Sequence, residues 1–468
     1  MRKSLLIGAL ALAGVSAYAQ KADEVKTGLS LGPVPAIAFD ADKGFQLGAL
    51  CNFYDFGDGS NYPNYNSNTY VEASFFSKGS KLFTLYHDNK TLIPGVRIFA
   101  GATANIDKAM DFYGFGGYSS FYDAARVDAG NGKNPTASYF SPYYRLDRVQ
   151  ILGALDFTGN ITDHVKWELG YHPSYFRIQS INRESINKGK EGLGVFNEES
   201  TLYDDYVKWG LIGADESGGG FSSAVRMGMV YDTRDKEGAP TRGIWAEAHM
   251  ILAPKWLGTT NPFYRYSATW RQYFPIVDND ILTFAYRLNY QGTFGDSAPF
   301  YILPYLTRME RDFDKDGMGG FDTVRGIMRD RVVGLDMATW TAEFRWRFVR
   351  FVLWKQNIAF GLTFFSDGSM VTRNRDMSLH VDTQTAPTTD KQVLDDLAPS
   401  PVPGYDKYIS QGLAKDRPHI TVGSGLRFIM NENFIIAFEY GAPVTAFGGP
   451  LKGQDGTGAF YINTGYLF

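Results

Sequence analysis

Few residues in this chain are grouped so that they could do chemistry, and the most suggestive is an arginine. Val324-Arg325-Gly326 follows Gly319-Gly320, and a strand-like run carrying Glu343 and Arg345 comes soon after. A guanidinium is a planar fork of donors that fits a carboxylate with two parallel bonds. That chemistry is recognition, not bond making. Asp312-x-Asp314-x-Asp316-Gly317 resembles the start of a calcium loop, but Thr323 stands where the closing glutamate should fall. A solvated acidic turn is the preferred reading there. The six histidines are scattered without metal-ligand spacing. No Ser, His and Asp group by sequence, so the expectation is a protein that is not an enzyme and carries no cofactor. Cys51 is the single cysteine, which excludes an internal disulfide. It shares a strand face with Phe45, Leu47, Ala49 and Phe53 and reads as a small apolar residue turned to lipid.

The elements around these residues alternate. Trp340, Ala342, Phe344, Trp346 and Phe348 point one way, and Thr341, Glu343, Arg345 and Arg347 the other. A soluble sheet would bury the aromatic face, whereas a membrane barrel turns it to lipid and the charged face to its lumen. Leu282 to Gln291, Ile420 to Phe428 and Phe434 to Gly441 repeat the pattern. Short connections at 276–280, 354–357 and 430–433 alternate with long ones at 292–335, 371–417 and 441–458. The long 371–417 connection holds a candidate short helix near Asp390 to Leu397 and then the stiff Pro401-Val-Pro403. In the front half, strands are expected near 44–56, 68–77, 80–88, 93–104, 138–158, 163–180 and 221–233. One more, near 33–40 or within 200–213, would bring the total to about 16, inside the even range of such barrels. The fold class is therefore all-β, a transmembrane antiparallel β-barrel.

The ends agree. Arg2 and Lys3, the apolar run Leu5 to Val15 and the small-x-small Ala17-Tyr18-Ala19 read as a secretory signal over residues 1–19. A short periplasmic segment at 20–33 would precede a barrel at 34–468. No apolar run is long enough to cross as a helix, and lipid tolerates no unpaired strand edge, so spanning demands closure. Phe460, Ile462, Thr464, Tyr466 and Phe468 share one face, and the Tyr466/Phe468 pair looks like a C-terminal sorting signal of bacterial outer-membrane barrels. Aromatics make up 15% of the chain, which suits interfacial girdles. A net charge of −4 leaves no basic footprint for nucleic acid.

Three segments in fixed order carry a family resemblance. Tyr231-Asp-Thr-Arg-Asp235 with Pro240-Thr-Arg-Gly243 resembles the strand–turn–strand signature of the BamA/TamA-type surface-antigen superfamily. Val324-Arg325-Gly326 followed by Glu343-x-Arg345 is similar to its sixth outer loop and the next strand. Phe364-Phe-Ser-Asp367-Gly368 is similar to its Phe-x-Asp-x-Gly strand. The resemblance covers roughly 34–468, and each motif alone is weak. It implies that the sixth loop folds into the lumen and that Val324, Arg325 and Gly326 anchor it there. A buried arginine needs a partner, and Glu343, Asp367 or Glu439 would supply it. Two departures stand out. Ile327 replaces the family's aromatic, and Ser366 occupies the place of its aspartate, which would turn Asp367 to lipid and favour Glu343. No polypeptide-transport-associated domain is expected before the barrel. The implied function is outer-membrane protein insertion or translocation, or lipid handling, in the bacterial outer membrane. Expected partners are outer-membrane lipids and periplasmic or outer-membrane assembly proteins. The alternatives are an anion-preferring channel, with Arg265, Arg271, Arg287, Arg345 and Arg347 on the inner wall, and, last, a lipid-acting barrel hydrolase.

Overall fold

A computed structural model describes residues 25–40, 44–120, 122, 141–191, 195–196, 200–277, 280–296, 298–305, 313, 317–320, 323–375, 416–464 and 468. The signal segment, the candidate calcium aspartates 312, 314 and 316, Tyr466 and the 390–403 region lie outside the described residues.

Sixteen strands form one antiparallel sheet in sequence order. The first four are β1 (Leu29–Asp40), β2 (Gly44–Asp55), β3 (Ser67–Phe76) and β4 (Lys81–Ile93). Then come β5 (Val96–Asp111), β6 (Arg145–Asn160), β7 (Val165–Gln179) and β8 (Gly219–Asp232). The third quartet is β9 (Gly243–Ala253), β10 (Phe263–Val277), β11 (Leu282–Thr293) and β12 (Asp336–Leu353). The last is β13 (Gln356–Arg373), β14 (His419–Met430), β15 (Phe434–Pro443) and β16 (Ala459–Thr464). The long connections after β11, β13 and β15 share one end of the sheet, and the short turns after β10, β12 and β14 the other, as the alternation predicts.

The missing front strand is β1, and it begins at Leu29 rather than 34. Its Pro33 and Pro35 disguise it, because proline removes ladder donors and is confined to edge strands and bulges. The other candidate, 200–213, holds instead a helix, α1 (Leu202–Lys208). Thr201 caps it in a reciprocal box with Asp204, and Leu202, Tyr203 and Tyr206 form its buried face.

The sheet curls back on itself. Near the short-turn end, Tyr54 of β2 donates to the Asn433 carbonyl at 3.3 Å, and Asn433 Nδ2 donates to the Pro63 carbonyl at 2.6 Å. Asn357 Nδ2 donates to Tyr62 at 2.8 Å. A side chain at Gly32 of β1 would strike the Phe434 ring of β15. Outward positions such as Leu47, Leu85, Phe344, Phe364 and Ile462 are exposed, forming the lipid belt, and Cys51 lies on the same face as Leu47 and Phe53. On β12, Thr341, Glu343, Arg345 and Arg347 are buried and face inward, as expected.

The hydrophobic core lies inside the wall. The loop after β5, α1 and the loop after β11 contribute Phe112, Phe115, Tyr206, Phe300, Leu303 and Phe313 to one cluster in the loop half of the lumen. Edge-to-face packing of Phe112 with Phe115 and Tyr206 orders it. Phe112-Tyr-Gly-Phe-Gly116 is thus structural, and its Gly116 N–H donates to the Val333 carbonyl of the inserted loop at 2.7 Å.

Candidate functional site

Arg325 lies against the inner face of the wall formed by β12, β13 and β15 and is fully buried. Its backbone N–H and Nε donate to Asp367 Oδ2 at 3.0 and 2.8 Å, and Nη2 donates to Oδ1 at 2.9 Å. Nη1 donates to Glu439 Oε1 at 2.6 Å, and Nη2 lies 2.7 Å from Glu343 Oε1. All three expected carboxylates therefore converge on one guanidinium. The reason is register: Glu343 on β12, Asp367 on β13 and Glu439 on β15 all face inward at one depth.

Three carboxylates around one cation would leave excess negative charge. Two further arginines neutralise it. Arg345 Nε donates to Glu343 Oε2 at 2.8 Å, and Arg427 Nη2 donates to Glu439 Oε1 at 2.7 Å. Arg427 Nε is held by Thr363 Oγ1 at 2.7 Å. The guanidinium of Arg325 also stacks over the Phe365 ring, 3.5 Å from its centroid. The result is a buried ring of three cations and three anions, the arrangement that makes a buried charge tolerable.

The backbone beside it is equally constrained. Gly326 has φ of 99°, a left-handed conformation that suits glycine. A Cβ there would lie 2.5 Å from the Gly441 carbonyl carbon, and one at Gly441 would lie 2.6 Å from the Arg325 oxygen. The two glycines let loop and wall touch backbone to backbone. The Gly326 N–H donates to Tyr461 at 2.9 Å. Val324 and Ile327 are both buried, so the isoleucine fills its place as an apolar contact. The feared displacement of the aspartate disappears when the motif is counted from Phe365: Asp367 points in and Ser366 out.

All five inner arginines are engaged. Arg265 Nη1 donates to the loop carbonyls of Ile302 and Tyr305, and Arg287 Nη2 to that of Thr323. Arg347 pairs with Glu432 at 3.0 Å, and Arg345 is in the ring. Arg271 stacks on Trp245 at 4.1 Å. Phe468 departs from expectation. It is buried in the lumen against Tyr273 and Ala285, under Arg345, instead of facing lipid with Phe460 and Ile462. Arg345 Nη2 donates to its carbonyl at 2.9 Å.

The Tyr231–Asp235 and Pro240–Gly243 signature builds a second closure. Asp232 holds Arg234 at 2.9 Å, and Asp235 accepts from the Thr241 N–H at 2.9 Å. The turn so shaped folds across the short-turn mouth. Glu237 pairs with Arg97 at 2.8 Å and with Lys90; Lys236 pairs with Asp280 and, at 3.3 Å, with Glu432. Ala239 packs on Ala359, Ile429 and Ile435 of the far wall.

This cap has a pH signature. Burial alone would push the Asp280 carboxyl up, but the Lys236 bond and the charges of Lys236 and Arg347 outweigh it and hold the group below the usual range. Burial likewise opposes, and Arg347, Lys236 and Arg350 override, at Glu432. Depressed folded values stabilise above the unfolded carboxylate range, about 4, and that contribution is lost as pH falls through the folded values. The urea midpoint should be flat in this respect from about pH 7 to 5 and fall below about pH 4, more weakly in Asp280→Asn. An Asp280-dependent fall between pH 7 and 5 would contradict the assignment.

Between the two closures lies a cavity of about 440 Å³ lined by Lys90, Arg97, Arg234, Glu237, Trp245 and Arg271, with Glu168 and Glu247 on one wall. His249 joins these two glutamates. The signal for this group, Glu247-x-His249 on one strand face, was present in the sequence. Its third member is on β7, about 80 residues away, where spacing cannot reveal it.

No curated protein matches the chain in sequence. Among solved structures it is similar to BamA from Haemophilus ducreyi lacking POTRA domains 1–3, at 15% identity over 93% of this chain and 70% of that one, with a TM-score of 0.48. It is also similar to CdiB from Escherichia coli, at 10% identity over 93% and 61%, with a TM-score of 0.47. The model of the Omp85 superfamily domain matches residues 115–468, about three quarters of the sequence, and the chain belongs to this superfamily of outer-membrane β-barrels.

Proposed function

We propose that this barrel inserts or translocates outer-membrane proteins, or handles lipids, at the junction of its first and last strands. Outer-membrane lipids and periplasmic or outer-membrane assembly proteins would be its partners. The observation that carries the reading is that the lumen is crossed at two levels: Arg325 ties the inserted loop to the wall above the cavity, and the 234–241 turn is tied to the wall below it. With the lumen crossed at both levels, we assign the traffic to the wall. Among the described residues the β15–β16 ladder is the shortest in the sheet. β16 is held to β15 by six residue pairs, and no ladder joins β1 to β16 among the described residues. Pro33 and Pro35, two apart, strip two N–H donors from one edge of β1.

Reconstitution separates this from the channel alternative. In planar bilayers the wild type should conduct little, and in proteoliposomes it should speed the folding of an added unfolded outer-membrane barrel over empty vesicles. A large, stable, anion-selective current unaffected by Arg325→Ala, with no gain in client folding, would reject the proposal.

A further inference from the structure

Outside the charge ring, one side-chain group in the lumen is built like a ligand set. Glu247 and His249 are two apart on β9 and face inward, and Glu168 faces inward from β7. Gly228 of β8 lies opposite both Glu168 and His249 in the ladder. Having no side chain, it lets the two meet across the strand between them; a Cβ there would come within 2.6 Å of the His249 Cβ.

One donor atom from each residue falls within 4.8 Å of the other two. Ligands around a tetrahedral zinc with bonds of about 2.0–2.1 Å stand roughly 3.3 Å apart, so small side-chain rotations would close the set. His249 supplies the independent sign of a ligand. Its side chain is fully buried, yet neither ring nitrogen has a hydrogen-bond partner. Nδ1 lies 2.6 Å from Glu247 Oε1, without hydrogen-bond geometry, and that oxygen also lacks a bond. A buried polar atom left unpaired costs about 1–3 kcal/mol, which a coordinated cation would relieve.

We propose that Glu168, Glu247 and His249 bind a divalent transition-metal ion of the zinc class, through one imidazole nitrogen and two carboxylate oxygens. Three protein ligands leave a coordination position open, the pattern of an accessible zinc site. Mixed nitrogen and oxygen donors favour zinc and its neighbours over calcium or magnesium, which prefer oxygen alone. Glu168 and Glu247 line the 440 Å³ cavity, which provides the entry path and places the open position towards its contents. Bound metal would tie β7 to β9 across β8.

The test uses the full chain refolded in detergent, with the barrel verified by its heat-modifiable gel shift. Titration with zinc chloride, followed by calorimetry, should show one equivalent bound. His249→Asn and Glu247→Gln should each weaken it by at least about 100-fold, at or beyond what losing a supporting contact costs, while keeping the gel shift. Magnesium and calcium should not compete. Equal zinc uptake by the wild type and His249→Asn, no uptake by the folded wild type, or displacement by calcium would each overturn the proposal. If a variant fails to show the gel shift, a cobalt spectrum on the wild type decides: tetrahedral bands support the site, and octahedral bands or none refute it.

Discussion

Arg325→Ala should release the sixth outer loop and destabilise the barrel by about 3–5 kcal/mol, the usual cost of removing one partner from a buried ion network. Without the guanidinium, Asp367, Glu343 and Glu439 face only Arg345 and Arg427, so one buried negative charge is left uncompensated. The three side-chain bonds from Arg325 to Asp367 and Glu439 also vanish. Arg325→Lys should recover only part of the loss, because an ammonium cannot serve Asp367 bidentately and Glu439 at once. Urea unfolding from lipid vesicles measures the stability, and protease access to residues near 325 measures loop release. Wild-type stability in Arg325→Ala would show that the loop is held by packing alone.

Gly326→Val should be comparably severe for a different reason. A φ of 99° places a β-branched residue in a region it avoids, at about 1–2 kcal/mol. Its Cβ would also meet the Gly441 backbone at 2.5 Å. Both sides of that contact are main chain, so no side chain can swing away, and overpacking adds about 1–3 kcal/mol. The expected outcome is a loop that cannot seat although every charge of the ring is present. Gly326→Val should therefore give the protease pattern of Arg325→Ala. A fully protected loop in Gly326→Val would mean that the backbone contact is dispensable.

The back half of the fold was readable because period-two alternation runs through most of each strand from β10 to β15, broken near the short-turn ends of β10 and β12. Arg325 and its three alternative carboxylate partners were readable through the family resemblance, but the ring was not, because Arg427 lies on another strand and carries no motif. Which of the carboxylates paired could not be read: the answer depended on whether Asp367 points in, and one residue of register decides that. β1 was hidden by Pro33 and Pro35, which argue against a central strand but suit a sheet edge. α1 was hidden because its buried face is mostly tyrosine and its capping box is short-range. The closure of the short-turn mouth was out of reach in principle. Lys236 finds Glu432 across 196 residues, and Glu237 finds Arg97 across 140. Phe468, beyond the end of β16, packs inside the wall against Tyr273, Ala285 and Arg345, contacts with β10–β12 that no local pattern encodes.

The central claim is that Arg325 and its carboxylates act as one lock on the inserted loop. A double-mutant cycle on Arg325→Ala and Asp367→Ala tests it most directly. Residues in one buried network couple by about 0.5–3 kcal/mol, and the multiple bonds here place the expected coupling at the upper end, with the double variant little less stable than either single one. Additive losses, within about 0.5 kcal/mol, would contradict the lock.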